Sequence, residues 1–147
     1  MTVKLSTGLV TYVMGTGSFK AAFNLGFLDI YSGTQPASAD DAPNGTKLAT
    51  ITVDGDGVTG ITFGTAVAGY LPKNPSETWS GNGVASGNAG WFRLREASDA
   101  GTASSSTAKR VDGSIGNSGA DMNVGSVVVT SGAPFIVTGG GFTLPLA

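Results

Sequence analysis

Trp91-Phe92-Arg93-Leu94-Arg95 is the stretch whose reading decides the fold. Phe92 and Leu94 fall on one side of an extended chain, and Trp91, Arg93 and Arg95 on the other. That is the two-residue period of a strand with two different faces, not the 3.6-residue period of a helix. Working upstream, Glu77-Thr78-Trp79-Ser80 is extended. Gly81-Asn82-Gly83 and Gly87-Asn88-Ala89-Gly90 read as turns around Val84-Ala85. Leu48 to Val53 sets Leu48, Thr50 and Thr52 against Ala49, Ile51 and Val53. Asp54-Gly55-Asp56-Gly57 is predicted to turn this strand into a hairpin with Val58 to Phe63. Phe27 to Tyr31 is the first strand, and Val67 to Leu71 is a short one before the breakers Pro72 and Pro75. Downstream, the small-residue loop Ala97 to Ala108 leads to Arg110 to Ile115, Val127 to Thr130, Pro134 to Thr138 and Phe142 to Leu144. About nine or ten short strands spaced by turns predict a mainly β chain, an antiparallel β-sandwich or jelly roll.

The first 26 residues have a different period. Ser6 is placed to cap a short helix through Leu9, Val10 and Val13, which Gly15-Thr16-Gly17 breaks. Ser18 is placed to cap a second, from Phe19 to Asn24, which Gly26 ends. Phe19, Ala22 and Phe23 form one apolar stripe, and helices this short need something to pack on. The expected organisation is a short helical N-terminal arm, 1–26, ahead of a β-sandwich domain, 27–147. Removing the arm is expected to spare the fold. Leu9, Val13, Phe19 and Phe23 are candidates for contact with a neighbouring subunit. The stretch Ser32 to Thr46 is longer than most connections in compact domains, so it is a second candidate arm, with Gln35 and Pro36 as contacts. Trp91, flanked by Arg93 and Arg95 on one face, has the composition of an interface centre. The same grouping also fits a stacked surface patch.

Composition narrows the chemistry. The chain has 147 residues, with no Cys, no His, eight basic and ten acidic side chains, and 24 Gly. The commonest acid–base group, the commonest metal ligand and the strongest nucleophile are missing, which disfavours an enzyme. No cation cluster exceeds Lys109-Arg110, so nucleic acid is not an expected partner. No apolar run is long enough for a membrane span, and the opening residues from Met1 read as no export signal. Asn44-Gly45-Thr46 has the form of a glycosylation sequon and reads more simply as an Asn-Gly turn.

Five groups of residues have a chemical and a plain reading. Asp54-Gly55-Asp56-Gly57 resembles the opening of a calcium loop, but its twelfth position is Thr65, not a carboxylate, so a turn is expected. Gly15-Thr16-Gly17-Ser18-Phe19-Lys20 lacks the ending of a phosphate loop and reads as a helix break and cap. Lys20, Lys47, Lys73 and Lys109 are available for a Ser–Lys dyad, and nothing singles one out. Glu77 and Glu96 border the aromatic strands and are the least implausible glycosidase pair, though rim charges are the simpler reading. Trp79, Trp91 and Tyr70 could form a sugar platform, yet aromatics at strand spacing are more often core. No cofactor and no metal is expected.

Two sets of segments carry a resemblance. One runs Leu5-Ser6-Thr7-Gly8-Leu9, Gly15-Thr16-Gly17-Ser18-Phe19-Lys20 and Leu28 to Asp40. The other runs Glu77-Thr78-Trp79-Ser80-Gly81, Ala89-Gly90-Trp91-Phe92-Arg93, Val111 to Gly116 and Ser118 to Asn123. In this order they resemble a family of small tailed-bacteriophage proteins, mostly uncharacterised or virion structural. The resemblance covers nearly the whole chain, and Ile30 to Asp40 is its most specific part. It implies a virion setting after synthesis in the host cytoplasm, and it supplies no catalytic residues. The function expected from it is a capsid decoration, or cement, protein. Such a protein would be a homo-oligomer bound non-covalently to the major capsid protein or another virion protein. A tail or head–tail connector component and a carbohydrate-binding module are the alternatives.

Overall fold

A computed structural model describes residues 3–143. Met1 and Thr2, which open the segment read as no export signal, and Leu144, the expected end of the last strand, lie outside the described residues. Among the described residues the fold is mainly antiparallel β with two short helices. The strands are β1 (Lys4–Leu5), β2 (Phe27–Ser32), β3 (Lys47–Val53), β4 (Tyr70–Pro72), β5 (Trp79–Asn82) and β6 (Gly87–Arg95), then β7 (Arg110–Gly116), β8 (Met122–Asn123), β9 (Val128–Val129), β10 (Pro134–Val137) and β11 (Gly141–Thr143). Seven of them join edge to edge in the order β1-β7-β6-β2-β3-β5-β10. β8 joins β7 and β9 joins β6 beside this path, and β11 and β4 make a separate two-stranded ribbon. Among the described strand pairs only β7–β8 is parallel.

The register explains the core. Leu28 lies opposite both Leu94 and Ile51, Ile30 opposite Phe92 and Ala49, and Leu94 opposite Val111. These side chains share one face of the sheet and are all buried. Each of them except Ala49 contributes on the order of 1.5–3 kcal/mol by leaving water. Helix α1 (Thr7–Gly15), helix α2 (Phe19–Ala22) and the β4–β11 ribbon supply further core side chains, among them Leu9, Ala22, Phe23, Leu71 and the partly buried Phe142.

The N-terminal segment is therefore no detachable arm. β1 pairs with β7, and Leu9 and Phe23 are fully buried. Ser6 caps α1 by accepting from the Leu9 amide at 3.1 Å. It also donates to the Ala108 carbonyl at 2.7 Å and accepts from the Arg110 amide at 2.9 Å. One hydroxyl thus ties the helix start to the start of β7. Gly8 lies so close to the Thr107 carbonyl that a Cβ there would sit 2.2 Å from its oxygen. The second helix ends earlier than its sequence suggests. Leu25, not Gly26, takes the left-handed backbone, at φ 59°.

Two further expectations change. Val58 to Phe63 does not form a hairpin with β3, whose strand partners are β2 and β5. Asp54, Gly55 and Gly57 all have positive φ and carry the chain away, so that the Ile61 amide bonds the Gly26 carbonyl at 2.9 Å. Neither glycine stretch is the expected turn: Gly81 and Asn82 end β5, and Gly87 to Gly90 are the first part of β6.

Candidate functional site

The face of β6 that carries Trp91, Arg93 and Arg95 is not an open interface. Trp91 and Arg93 are wholly buried and Arg95 nearly so. A row of charges crosses four strands in register and ends at a hydroxyl on a fifth: Lys4 opposite Asp112, Asp112 opposite Arg93, Arg93 opposite Asp29, and Asp29 opposite Thr50. Arg93 grips Asp112 with two bonds of 2.8 and 2.7 Å. Asp29 accepts from Arg95 at 2.7 Å and from the Thr50 hydroxyl at 2.7 Å, with Lys47 at 3.2 Å. Arg110 holds Asp99 through bonds of 2.6 and 2.9 Å. Paired and hydrogen-bonded charges of this kind can be buried, whereas lone ones cannot.

Two loops roof this face. The Gly101 carbonyl accepts from Arg93 and the Asp99 carbonyl from Arg95, which fastens residues 97–108 over the arginines. The Asn44 carbonyl accepts from the Trp91 indole at 3.2 Å. The stretch Ser32 to Thr46 is closed at its base by the bond from the Ser32 amide to the Thr46 carbonyl, so it is a folded-back loop and not an arm. The two loops bond each other through the Ser105 amide to the Asp40 carbonyl, and through the Ala42 amide to the Ser104 hydroxyl. Beneath them Tyr31 stacks on Trp91 with ring centroids 4.5 Å apart. Burial, with Asp29 adding to it, pushes the Tyr31 phenol up to about 12.

The other contact candidates divide. Leu9 and Phe23 belong to the chain's own core, and Pro36 is buried, its carbonyl accepting from Lys4. These three, with Trp91, Arg93 and Arg95, are corrected from surface to interior. Phe19 is half-buried, 5.0 Å from the Phe23 ring and 5.5 Å from the Phe142 ring. Gln35 is half-buried. Val13 is exposed, and it does not stand alone. Val10, Val13 and Met14, at i, i+3 and i+4 of α1, form an outward apolar stripe, with Met14 82% exposed. Leu9, one turn before Val13, is buried in the core, and Tyr12 packs against that core beneath the Lys109 ammonium. The helical spacing of Val10, Val13 and Met14 was a signal available in the sequence.

The groups with a chemical reading are engaged elsewhere. Glu77 accepts from the Thr62 amide at 3.0 Å and from the Trp79 indole at 2.8 Å, and Glu96 pairs with Lys109. Lys20 donates to the Gly64 carbonyl, Lys73 to the Asn74 and Glu77 carbonyls, and Lys47 pairs with Asp29. Asp56 accepts from the Val58 and Thr59 amides, and the Thr59 hydroxyl and these amides hold its carboxyl down at about 2. This is the chemistry of a tight turn. No group of three potential metal-ligating side chains occurs among the described residues.

A second surface feature is a groove beside β11. Tyr70, Trp79, Phe92 and Phe142 line a cavity of about 320 Å³, with Asp121 and Asn123 at its edge. Two of the three aromatics proposed for a sugar platform, Tyr70 and Trp79, meet there, and Trp91 does not. Compared with protein-family models, with curated proteins and with solved structures, the chain matches none.

Proposed function

We propose that this chain is a structural protein of a tailed-bacteriophage virion that decorates and cements the capsid. It would act as a homo-oligomer through non-covalent contact with the major capsid protein. The observation that supports this best is the outward stripe Val10, Val13 and Met14. It sits on a helix that Leu9 anchors in the core. Apolar side chains on a rigid support are suited to burial against a partner, because little ordering is needed when they dock. Weak contacts of this size gain strength when repeated over a lattice.

The test replaces Val10, Val13 and Met14 together with Ser. The thermal unfolding temperature should fall only modestly, because Met14 is largely in water and Val10 and Val13 are partly so. Decoration of purified particles should fall at least tenfold. Normal decoration by the folded variant would refute the assignment. Gel densitometry of particles separates cement, present in many copies per shell, from a connector or tail component, present in one ring or a few.

The groove lined by Tyr70, Trp79, Asp121 and Asn123 favours carbohydrate binding as the second reading. Saturable binding on a glycan array, lost in Tyr70→Ala, would put it first.

A further inference from the structure

Three clefts meet at one side chain, Phe142 of β11. One is the groove of about 320 Å³ described above. A second, of about 240 Å³, lies between Phe142, Phe19, Phe92 and Leu5, and a third, of about 350 Å³, between Phe142, Phe19, Tyr70 and Leu71. Phe142 itself touches three aromatic rings from separate parts of the chain. Its centroid is 5.5 Å from Phe19, 5.9 Å from Phe63 and 6.1 Å from Phe92. It therefore fills an aromatic well like a plug, with space left on three sides.

The backbone around the plug is equally particular. β4 is the only strand that β11 pairs with among the described residues, through Gly141–Pro72, Phe142–Leu71 and Thr143–Tyr70. Gly141 is seated so closely that a Cβ would lie 2.3 Å from the Leu71 carbonyl oxygen. The slot thus fits this segment in particular. The strand is joined to β10 by Thr138, Gly139 and Gly140. All three are exposed, a Cβ at Gly139 would meet nothing within 4 Å, and Gly140 has φ 127°. β10 ends the strand path of the large sheet, and Ile136 on it is exposed.

We propose that Thr138-Gly139-Gly140 is a hinge and that β11 exchanges between two copies of this chain, each Phe142 filling the other's aromatic well. The exchanged strand makes the same ribbon and ring contacts as before, so leaving its own slot loses no contact once it is seated in the other, and only the association of the two copies remains to be offset. A three-residue hinge reaches only roughly 10 Å, so the two copies must meet beside their β10 edges. Ile136 and the open backbone of β10 would be covered there, and that new contact drives the exchange. This inference rests on the homo-oligomeric part of the reading above.

The chain has no cysteine, so an introduced pair reports cleanly. Tyr70 and Thr143 are exposed and directly opposite each other in the ribbon. Antiparallel neighbours sit about 4.5–5.5 Å apart at Cα, within reach of a disulfide. Tyr70→Cys chain and Thr143→Cys chain are mixed at high concentration, oxidised and run without reductant. Exchange gives a covalent dimer well above that formed by either variant alone. A second arm oxidises the double variant while dilute, which locks β11 into its own slot. The locked chain should lose the wild-type oligomer by light scattering and regain it on reduction. An oligomer that survives the lock, or a mixture without excess dimer, overturns exchange and leaves the homo-oligomer standing. A wild-type chain that is monomeric at every concentration overturns both.

Discussion

The two faces of β2, β6 and β7 are buried to the same degree and built from opposite chemistry. One face sets Leu28, Ile30, Phe92, Leu94 and Val111 against the helices and the ribbon. The other sets Asp29, Arg93, Arg95, Arg110 and Asp112 beneath two loops of small residues. The apolar face is stabilised by area removed from water, and it is non-directional. The ionic face gains little net energy from its pairs, because each charge gave up its hydration to enter. What it supplies is geometry. Arg93 and Arg95 each hold one carboxylate of a neighbouring strand and one carbonyl of a covering loop, so the loops can seat in one way only.

This difference predicts opposite coupling. Arg93→Met leaves Asp112 buried without its two guanidinium bonds and should cost about 3–5 kcal/mol. Leu94→Ala, one residue along on the other face, should cost a similar amount, about 2–5 kcal/mol. The partners separate them. Asp112→Leu added to Arg93→Met should recover most of the loss, because it removes the stranded charge. Val111→Ala added to Leu94→Ala should deepen the loss instead. Urea unfolding of the two double-mutant cycles decides the matter. If the Arg93/Asp112 double variant is as unstable as the sum of its single changes, the ionic face contributes more energy than geometry.

The alternation at Trp91 to Arg95 was enough to read two faces, and it was right about which residues share each. It could not tell that both faces are covered. The carboxylates that make the arginines buriable lie 19 and 66 residues away along the chain, as Asp112 and Asp29. The roofing loops are rich in Ser, Ala, Gly and Thr, which is how solvent-exposed connections also look. The stripe Phe19, Ala22 and Phe23 correctly demanded a packing partner, and periodicity does not say whether that partner is another chain. It is this chain's own sheet. The β4–β11 ribbon was illegible for a similar reason. Its three-residue strands have too few positions to show a period, and their pairing joins residues about seventy apart in sequence.

A smaller effect sharpens the comparison from within the ionic face. The Tyr31 hydroxyl is buried and has no hydrogen-bond partner among the described residues. Removing it strands nothing, and the ring stack on Trp91 stays. Tyr31→Phe should therefore be neutral or stabilising by about 1 kcal/mol. A raised urea midpoint with an unchanged slope would show this. A clear loss of stability would mean that the hydroxyl is satisfied in solution and that the face is wetter than its geometry implies.

Acid should distinguish the faces most finely. Burial alone would raise the Asp99 carboxyl. The two Arg110 bonds and the Gly101 amide outweigh it and hold the group below its ordinary value. A carboxyl depressed in the folded state contributes fully above its unfolded pKa of about 3.9 and loses that contribution as pH falls through the folded value. Asp112 has the opposite sign. Burial pushes it above its ordinary value despite Arg93, so its contribution is largest in acid and declines as pH rises. The two partly cancel, and the loss below about pH 4 belongs to Asp99. Asp99→Asn removes the charge and one of the two oxygens that accept from Arg110, setting an amide N–H against a guanidinium N–H. Its deficit against the wild type should be clear at pH 7 and shrink steadily from pH 4 to pH 2, and unfolding in urea at each pH would measure it. Leu94→Ala carries no proton, so its deficit should hold constant over the same range. If both deficits stay constant, the Asp99–Arg110 clamp does not discriminate between charged and neutral partners, and the contrast between the two faces fails at that clamp.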